Sequence, residues 1–234
     1  MKKYSLTKTT KEWCGRTLFQ IKAEMSFGSV AKGELGGYIE KEENLSQDGN
    51  AWVYGDAQVS GNAWVSGNAQ VYGDAWVSGD AQVSGDAWVY GDAQVYGDAW
   101  VSGDAQVSGD AWVYGDAQVS GNAWVSGNAQ VYGDAWVSGD AQVSGDAWVY
   151  GDAQVYGDAR VSAKASFTKG WFIGGDDSGK ITDITDKTGS SYWKNQYVLG
   201  DYEITPIEEK KEDVVKNPRE IVIDGATYVL KGEL

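Results

Sequence analysis

The chain has no histidine, one cysteine, two prolines and two methionines in 234 residues. Without histidine it lacks the commonest general base and the commonest metal ligand. The single cysteine, Cys14, excludes a disulfide framework and argues against a small stapled secreted scaffold. It stands beside Trp13 with no basic partner that can be named, so it reads as a packed small residue rather than a nucleophile. The opening residues, Met1 to Thr7, carry charge but are followed by no apolar run. Neither a signal peptide nor a membrane span is expected. Basic residues are missing from a long stretch: none lies between Lys41 and Arg160. Residues 42–159 carry 17 acidic groups and the rest of the chain a net +2, so the whole charge of −15 sits on that stretch.

What fills the stretch is a repeat. From Ala51 to Asp158 the chain is an unbroken array of 18 hexapeptides of the form Ala-(Trp/Gln)-Val-(Tyr/Ser)-Gly-(Asp/Asn). Such a period dictates the architecture before any other feature is read. Ala and Val alternate with Trp/Gln and Tyr/Ser, the period of a strand with one buried face. Gly followed by Asp or Asn supplies a corner, because these residues tolerate the positive φ that others resist. A four-residue strand and a two-residue corner bury nothing alone but do so when coils stack, which makes a β-solenoid. Open ends of such a rod expose ladder edges, so caps are required. Residues 51–99 recur unchanged at 111–159, the mark of expansion of the array by duplication.

Two arithmetics compete for the number of hexads per coil. Trp alternates strictly with Gln, so that Trp52, Trp64 and Trp76 are 12 apart; two hexads per coil would gather all the array tryptophans on one side. Tyr54, Tyr72 and Tyr90 are 18 apart, as are Tyr96, Tyr114, Tyr132 and Tyr150, which stacks like on like with three hexads per coil. We favour three. The order Val-x-x-x-Ala-x resembles the hexapeptide motif of left-handed β-helix proteins. That resemblance implies an all-β, left-handed triangular β-helix with an aliphatic residue filling the prism and a small one near each corner, closed by small β-rich caps. The expected division is an N-terminal cap with degenerate first hexads at 1–48, the solenoid at 49–164, and a C-terminal β-rich domain at 165–234.

The ends carry further detail. Arg16 to Ala23 reads as a strand, and Gly37 to Glu42 and Glu43 to Asp48 read as degenerate hexads. Trp171 to Ile173 and Lys180 to Ile184 flank a Gly/Asp turn, and Tyr192 to Ile204 is strand-like. Glu220 to Ile223 and Ala226 to Leu230 make a hairpin across Asp224-Gly225, a favoured two-residue turn. Lys32-Gly33-Glu34-Leu35-Gly36-Gly37-Tyr38-Ile39-Glu40 and Asn44-Leu45-Ser46 resemble the opening of phage- and prophage-encoded hexapeptide-repeat proteins, whose members are often labelled transferases. Hexapeptide acyltransferases use a histidine base, and this chain has none. Gly174 to Lys180 approaches a phosphate-binding loop, but Ile181 replaces the magnesium-binding hydroxyl and two Asp would repel phosphate, so a hairpin turn is expected.

Two features of the array remain. Trp52, Trp64, Trp76, Trp88, Trp100, Trp112, Trp124, Trp136 and Trp148, with Tyr54, Tyr72 and Tyr90, point outward by the alternation, and exposed aromatic area on that scale marks a contact surface. Asp74, Asp80, Asp86, Asp92, Asp98, Asp104, Asp110, Asp116, Asp134 and Asp140 line the corners at roughly one charge per 2 Å of rod, close to the linear charge of duplex DNA. The expectation is a non-catalytic acidic binding protein without cofactor or metal site, cytoplasmic and self-associating, with a basic host protein as partner and neither nucleic acid nor membrane bound. Blocking or sequestering a host factor for a phage is the role this implies. A virion carbohydrate-binding or fibre component is the alternative, and an acyltransferase-like enzyme is disfavoured.

Overall fold

The computed structural model describes residues 2–161 in full and, beyond them, the backbone of six strands. It is all-β apart from one short 3-10 turn at Glu42–Asn44. Each hexad but the last contributes a two-residue strand, Trp-Val or Gln-Val, rather than the four-residue strand expected, with Ala and the Tyr/Ser position just outside it; the last forms the four-residue Gln154–Gly157. Every strand pairs in parallel with the one three hexads away, as in Gln58↔Trp76 and Val59↔Val77, then Trp76↔Gln94 and Val77↔Val95. Three parallel sheets result, so three hexads make one coil. The twelve-residue arithmetic is excluded by this register.

Val and Ala explain the coil. Every array Val is fully buried, and every Ala from Ala51 to Ala153 likewise. Val projects from the strand into the interior, and Ala, the first residue after each corner, is small enough to let the chain turn inward there. The corner requires glycine: from Gly55 to Gly157 the φ angles lie between 59° and 76°, a region L side chains resist. Asp and Asn do not share that burden. Among the described residues the one non-glycine with positive φ is Cys14, at 47°. At several corners the Asp or Asn instead places its N–H on the next coil, as in Asp80 N to Gly97 O (2.8 Å) and Asn68 N to Gly85 O (2.8 Å). Glycine is also demanded by proximity, since a Cβ on Gly97 would lie 2.9 Å from Gly115 N.

The N-terminal cap is a hairpin laid over the open end. Strand β1 (Tyr4–Trp13) pairs antiparallel with β2 (Arg16–Ala23), and β2 pairs antiparallel with β3 (Leu35–Ile39). Strand β3 then runs parallel to the first array rung of its sheet, Tyr38↔Gln58 and Ile39↔Val59. Both degenerate hexads thus join the coil, the second through a Leu45↔Val65 bridge. Buried Asn44 donates to Gly61 O and Ala63 O and so satisfies carbonyls the irregular segment would leave bare. At the other end the parallel ladders continue through Ser166–Phe167 and Trp171–Gly174. The expected hairpin is present as Glu220–Ile223 paired antiparallel with Ala226–Lys231. Tyr202–Pro206 and Val198–Leu199 complete a four-stranded sheet with it. The Lys180 to Ile184 segment, the Gly175 to Lys180 turn and Asp224-Gly225 lie outside the described residues.

Candidate binding surface

The register distributes the outward residues over three faces and three corners. Trp52, Trp88 and Trp124 share one face, Trp76, Trp112 and Trp148 a second, Trp64, Trp100 and Trp136 the third. On each face a Gln separates successive tryptophans, as in Trp88↔Gln106 and Gln106↔Trp124. Unbroken files of indoles do not form, because a three-hexad coil cannot stack a two-hexad alternation in phase. Corners do stack like on like. Asp74, Asp92 and Asp110 fall on one edge, Asp80, Asp98, Asp116 and Asp134 on the next, Asp86, Asp104 and Asp140 on the last, all exposed. Consecutive corner residues belong to strands one sheet spacing apart, about 4.8 Å, at which two charges in water repel by roughly 1 kcal/mol before screening by salt.

Asparagine relieves that repulsion where it occurs. The side-chain amides of Asn62, Asn68, Asn122 and Asn128 donate to Asp80, Asp86, Asp140 and Asp146 one coil on, at 2.8–3.0 Å. The long uninterrupted acidic run lies on the edge holding Asp80, Asp98, Asp116, Asp134 and Asp152, where no Asn follows Asn62.

The outward tryptophans are held rather than loose. Trp100, Trp124 and Trp136 donate their indole N–H to Ser84, Ser108 and Ser120 on the preceding coil, and Trp88 and Trp112 meet Tyr72 and Tyr96 edge-on. Their exposure nonetheless stays near 38–47%, large for indole. Trp88 lies in a shallow groove with Gln70 and Gln106 on its face and Asn68, Asp86 and Asp104 along the adjoining corner.

The cap takes three expected site residues wholly or partly out of the open surface. Trp52 is fully buried, with the rings of Tyr4 and Phe27 edge-on at 6.0 and 5.4 Å and Gly36 pressed so close that a Cβ there would meet its ring at 2.7 Å. The cap covers the first rung, so the alternation that places Trp52 on the outer face does not expose it. Tyr54, half-buried, packs against the core and shares a hydrogen bond with Ser29. Trp76 is also half-buried, its ring meeting Trp13 edge-on at 5.8 Å. Trp13 and Lys11 are contacts the sequence did not announce. Lys11 Nζ lies 5.4 Å from the Tyr38 ring and 4.0 Å from Asp56 Oδ1, and no periodicity in β1 marks it for that place.

Tyr72 stacks flat on Tyr90, and Tyr96, Tyr114, Tyr132 and Tyr150 form a second stack at 4.8–4.9 Å. Burial raises the phenol pKa of Tyr72, Tyr96, Tyr114 and Tyr132, and the stacked neighbours add to it at all but Tyr96. In the cap, burial lowers the Lys3 ammonium to about 8 against the pull of Asp48, while Nζ donates to Ala51 O. Burial, with Glu42 and Glu43, pushes the Tyr4 phenol up. Burial also pushes the Glu40 carboxyl up, but the Gly61 N–H at 2.6 Å and the Arg16 guanidinium outweigh it and hold the group low. Cys14 is exposed at the β1–β2 turn.

Among the described residues no group of three or more His, Cys, Asp or Glu is arranged to hold a metal ion, and no helix is long and apolar enough to cross a membrane. The model of the YdcK β-solenoid repeat matches residues 57–73, 69–85, 81–97, 93–109, 105–121, 117–129, 129–145 and 153–166. No curated protein matches the chain. Built of three parallel sheets with the repeat matched along them, the chain is a β-solenoid repeat protein whose array is similar to the YdcK solenoid repeat.

Proposed function

We propose that this protein acts by binding rather than by catalysis, as a rigid acidic rod that occupies a basic host protein. One observation carries the reading: a straight edge of Asp80, Asp98, Asp116, Asp134 and Asp152 within a stretch that contains no Lys or Arg. Asparagine makes the same corner without charge at Asn62 and Asn122, so geometry does not require the acid. A linear field of this density attracts cationic partners and speeds their capture. The absence of histidine and the isolation of Cys14 support a non-catalytic role. The resemblance of the hexad order Val-x-x-x-Ala-x to left-handed β-helix proteins supports a left-handed coil, and that of the chain's opening to phage and prophage hexapeptide-repeat proteins supports a phage origin. The place of action would then be the host cytoplasm and the outcome blockage of a host factor. Exposed indoles on all three faces support self-association as well.

The test is capture from bacterial lysate at low and high salt by the wild-type chain and by the triple variant Asp98→Asn, Asp116→Asn, Asp134→Asn. A partner held at low salt, released at high salt and lost by the variant is expected. Recovery of no specific partner at either salt overturns the reading. The groove around Trp88, with amide and carboxylate groups beside an indole, favours a second reading, a carbohydrate platform; binding to a glycan array would support it.

A further inference from the structure

Indole and corner acid recur along the faces, and the cap shows what such a pair accepts. Its hairpin bends over the adjoining face, where Lys11 is placed within reach of both the Tyr38 ring and the Asp56 carboxylate while Trp13 abuts Trp76. A cation between an outward aromatic ring and a corner acid is favourable on both counts, since ring face and carboxylate both attract it. Further along the rod the same pair of groups is exposed on every face. Trp88 lies beside Asp86 and Asp104, and on the other two faces the exposed Trp100, Trp136 and Trp112 each follow an exposed corner acid, Asp98, Asp134 and Asp110, by two residues.

Spacing then selects the conformation of a ligand. Tryptophans on one face stand two strands apart, about 9.6 Å at the usual sheet spacing. A polyproline-II helix rises about 3.1 Å per residue with three residues per turn, so residues i, i+3 and i+6 share one side at intervals of about 9.3 Å. Across three tryptophans the accumulated mismatch is only about 0.6 Å. A β-strand laid along the same line fails, because its residues i and i+3 point to opposite sides. Polyproline-II segments also dock with little entropic cost on aromatic-lined grooves.

We propose that each face of the solenoid is a docking track for a polyproline-II segment bearing Arg or Lys at every third position, each cation resting on an indole beside a corner carboxylate. This rests on the acidic-binder reading above and adds the partner's conformation, spacing and place of contact.

Calorimetric titration of the full chain tests it with two peptides of equal composition, (Arg-Pro-Pro)4 and an isomer with its four arginines contiguous, and with a chitin oligosaccharide. The periodic peptide is expected to bind about tenfold more tightly than the isomer. The double variant Trp100→Gln, Trp136→Gln removes the track on one face and should lower the peptide-to-chain ratio by about one third, with the affinity at the two remaining faces kept. Gln already occupies the same register position on neighbouring coils, so the variant keeps the fold, which circular dichroism checks. Equal affinity for the two peptides, or a peptide-to-chain ratio untouched by the double variant, overturns the proposal. Binding of the oligosaccharide but neither peptide also overturns it, in favour of a sugar ligand. The lysate experiment is scored separately: a captured partner that the periodic peptide does not displace leaves the acidic-binder reading standing and removes this one.

Discussion

At the scale of the residue, Trp52 and Trp112 make the sharpest comparison. Both sit in the identical hexapeptide Ala-Trp-Val-Tyr-Gly-Asp, yet Trp52 is fully buried and Trp112 is 38% exposed. The difference comes entirely from Tyr4, Phe27 and Gly36, which close over the first rung. Trp52→Ala therefore opens a cavity in the cap and should cost about 3–5 kcal/mol in urea unfolding followed by circular dichroism. Trp112→Ala, on an open face, should cost no more than about 1 kcal/mol. Equal losses at the two positions would mean that the cap does not seal Trp52 as described. Nothing within the hexad separates these residues, because its six side chains are the same and their neighbours in space are not.

At the scale of the element, the corner divides its work between two residues. Gly97 carries the turn, with φ of +73° and its Cβ direction facing Gly115 N, while Asp98, outside the left-handed region, carries the charge. Gly97→Ala must hold a left-handed conformation, about 1–2 kcal/mol, and push against backbone that cannot yield, so its melting point should fall at every salt concentration. Asp98→Asn keeps the corner, as Asn122 and Asn128 show, and should raise the melting point at low salt by removing repulsion, with the gain fading at high salt. A fall at low salt for the Asn variant would show that the charge stabilises the corner. The hexad reveals that a corner is present and that Gly belongs in it. It does not reveal that Asp escapes the positive φ, because the two residues share a turn preference for different physical reasons. The two-residue strand was equally hidden, since side-chain alternation continues through Tyr/Ser although the regular pairing does not.

For the whole molecule, the antiparallel pair β1–β2 is what ends the parallel stack. Removing residues 1–34 would strip β3 of its partner, bare the ring of Trp52 and leave a sheet edge with unpaired donors and acceptors. Such an edge recruits another. The truncated chain should associate end to end, seen as mass rising with concentration in light scattering, in excess of any association of the full chain; the same concentration dependence in both would show that the cap is not what protects that end. The hexad by itself determined the solenoid, the inward Val and Ala, the glycine corners and the acid beside them, because each is a local choice repeated until neighbouring coils make it cooperative. Tertiary structure alone decided that coils of three hexads break the tryptophan files with Gln, that the cap takes Trp52 and half of Trp76 out of the surface, and that Lys11 comes to rest between Tyr38 and Asp56. Those outcomes depend on which residues meet across a coil or over an end, distances that no period along the chain encodes.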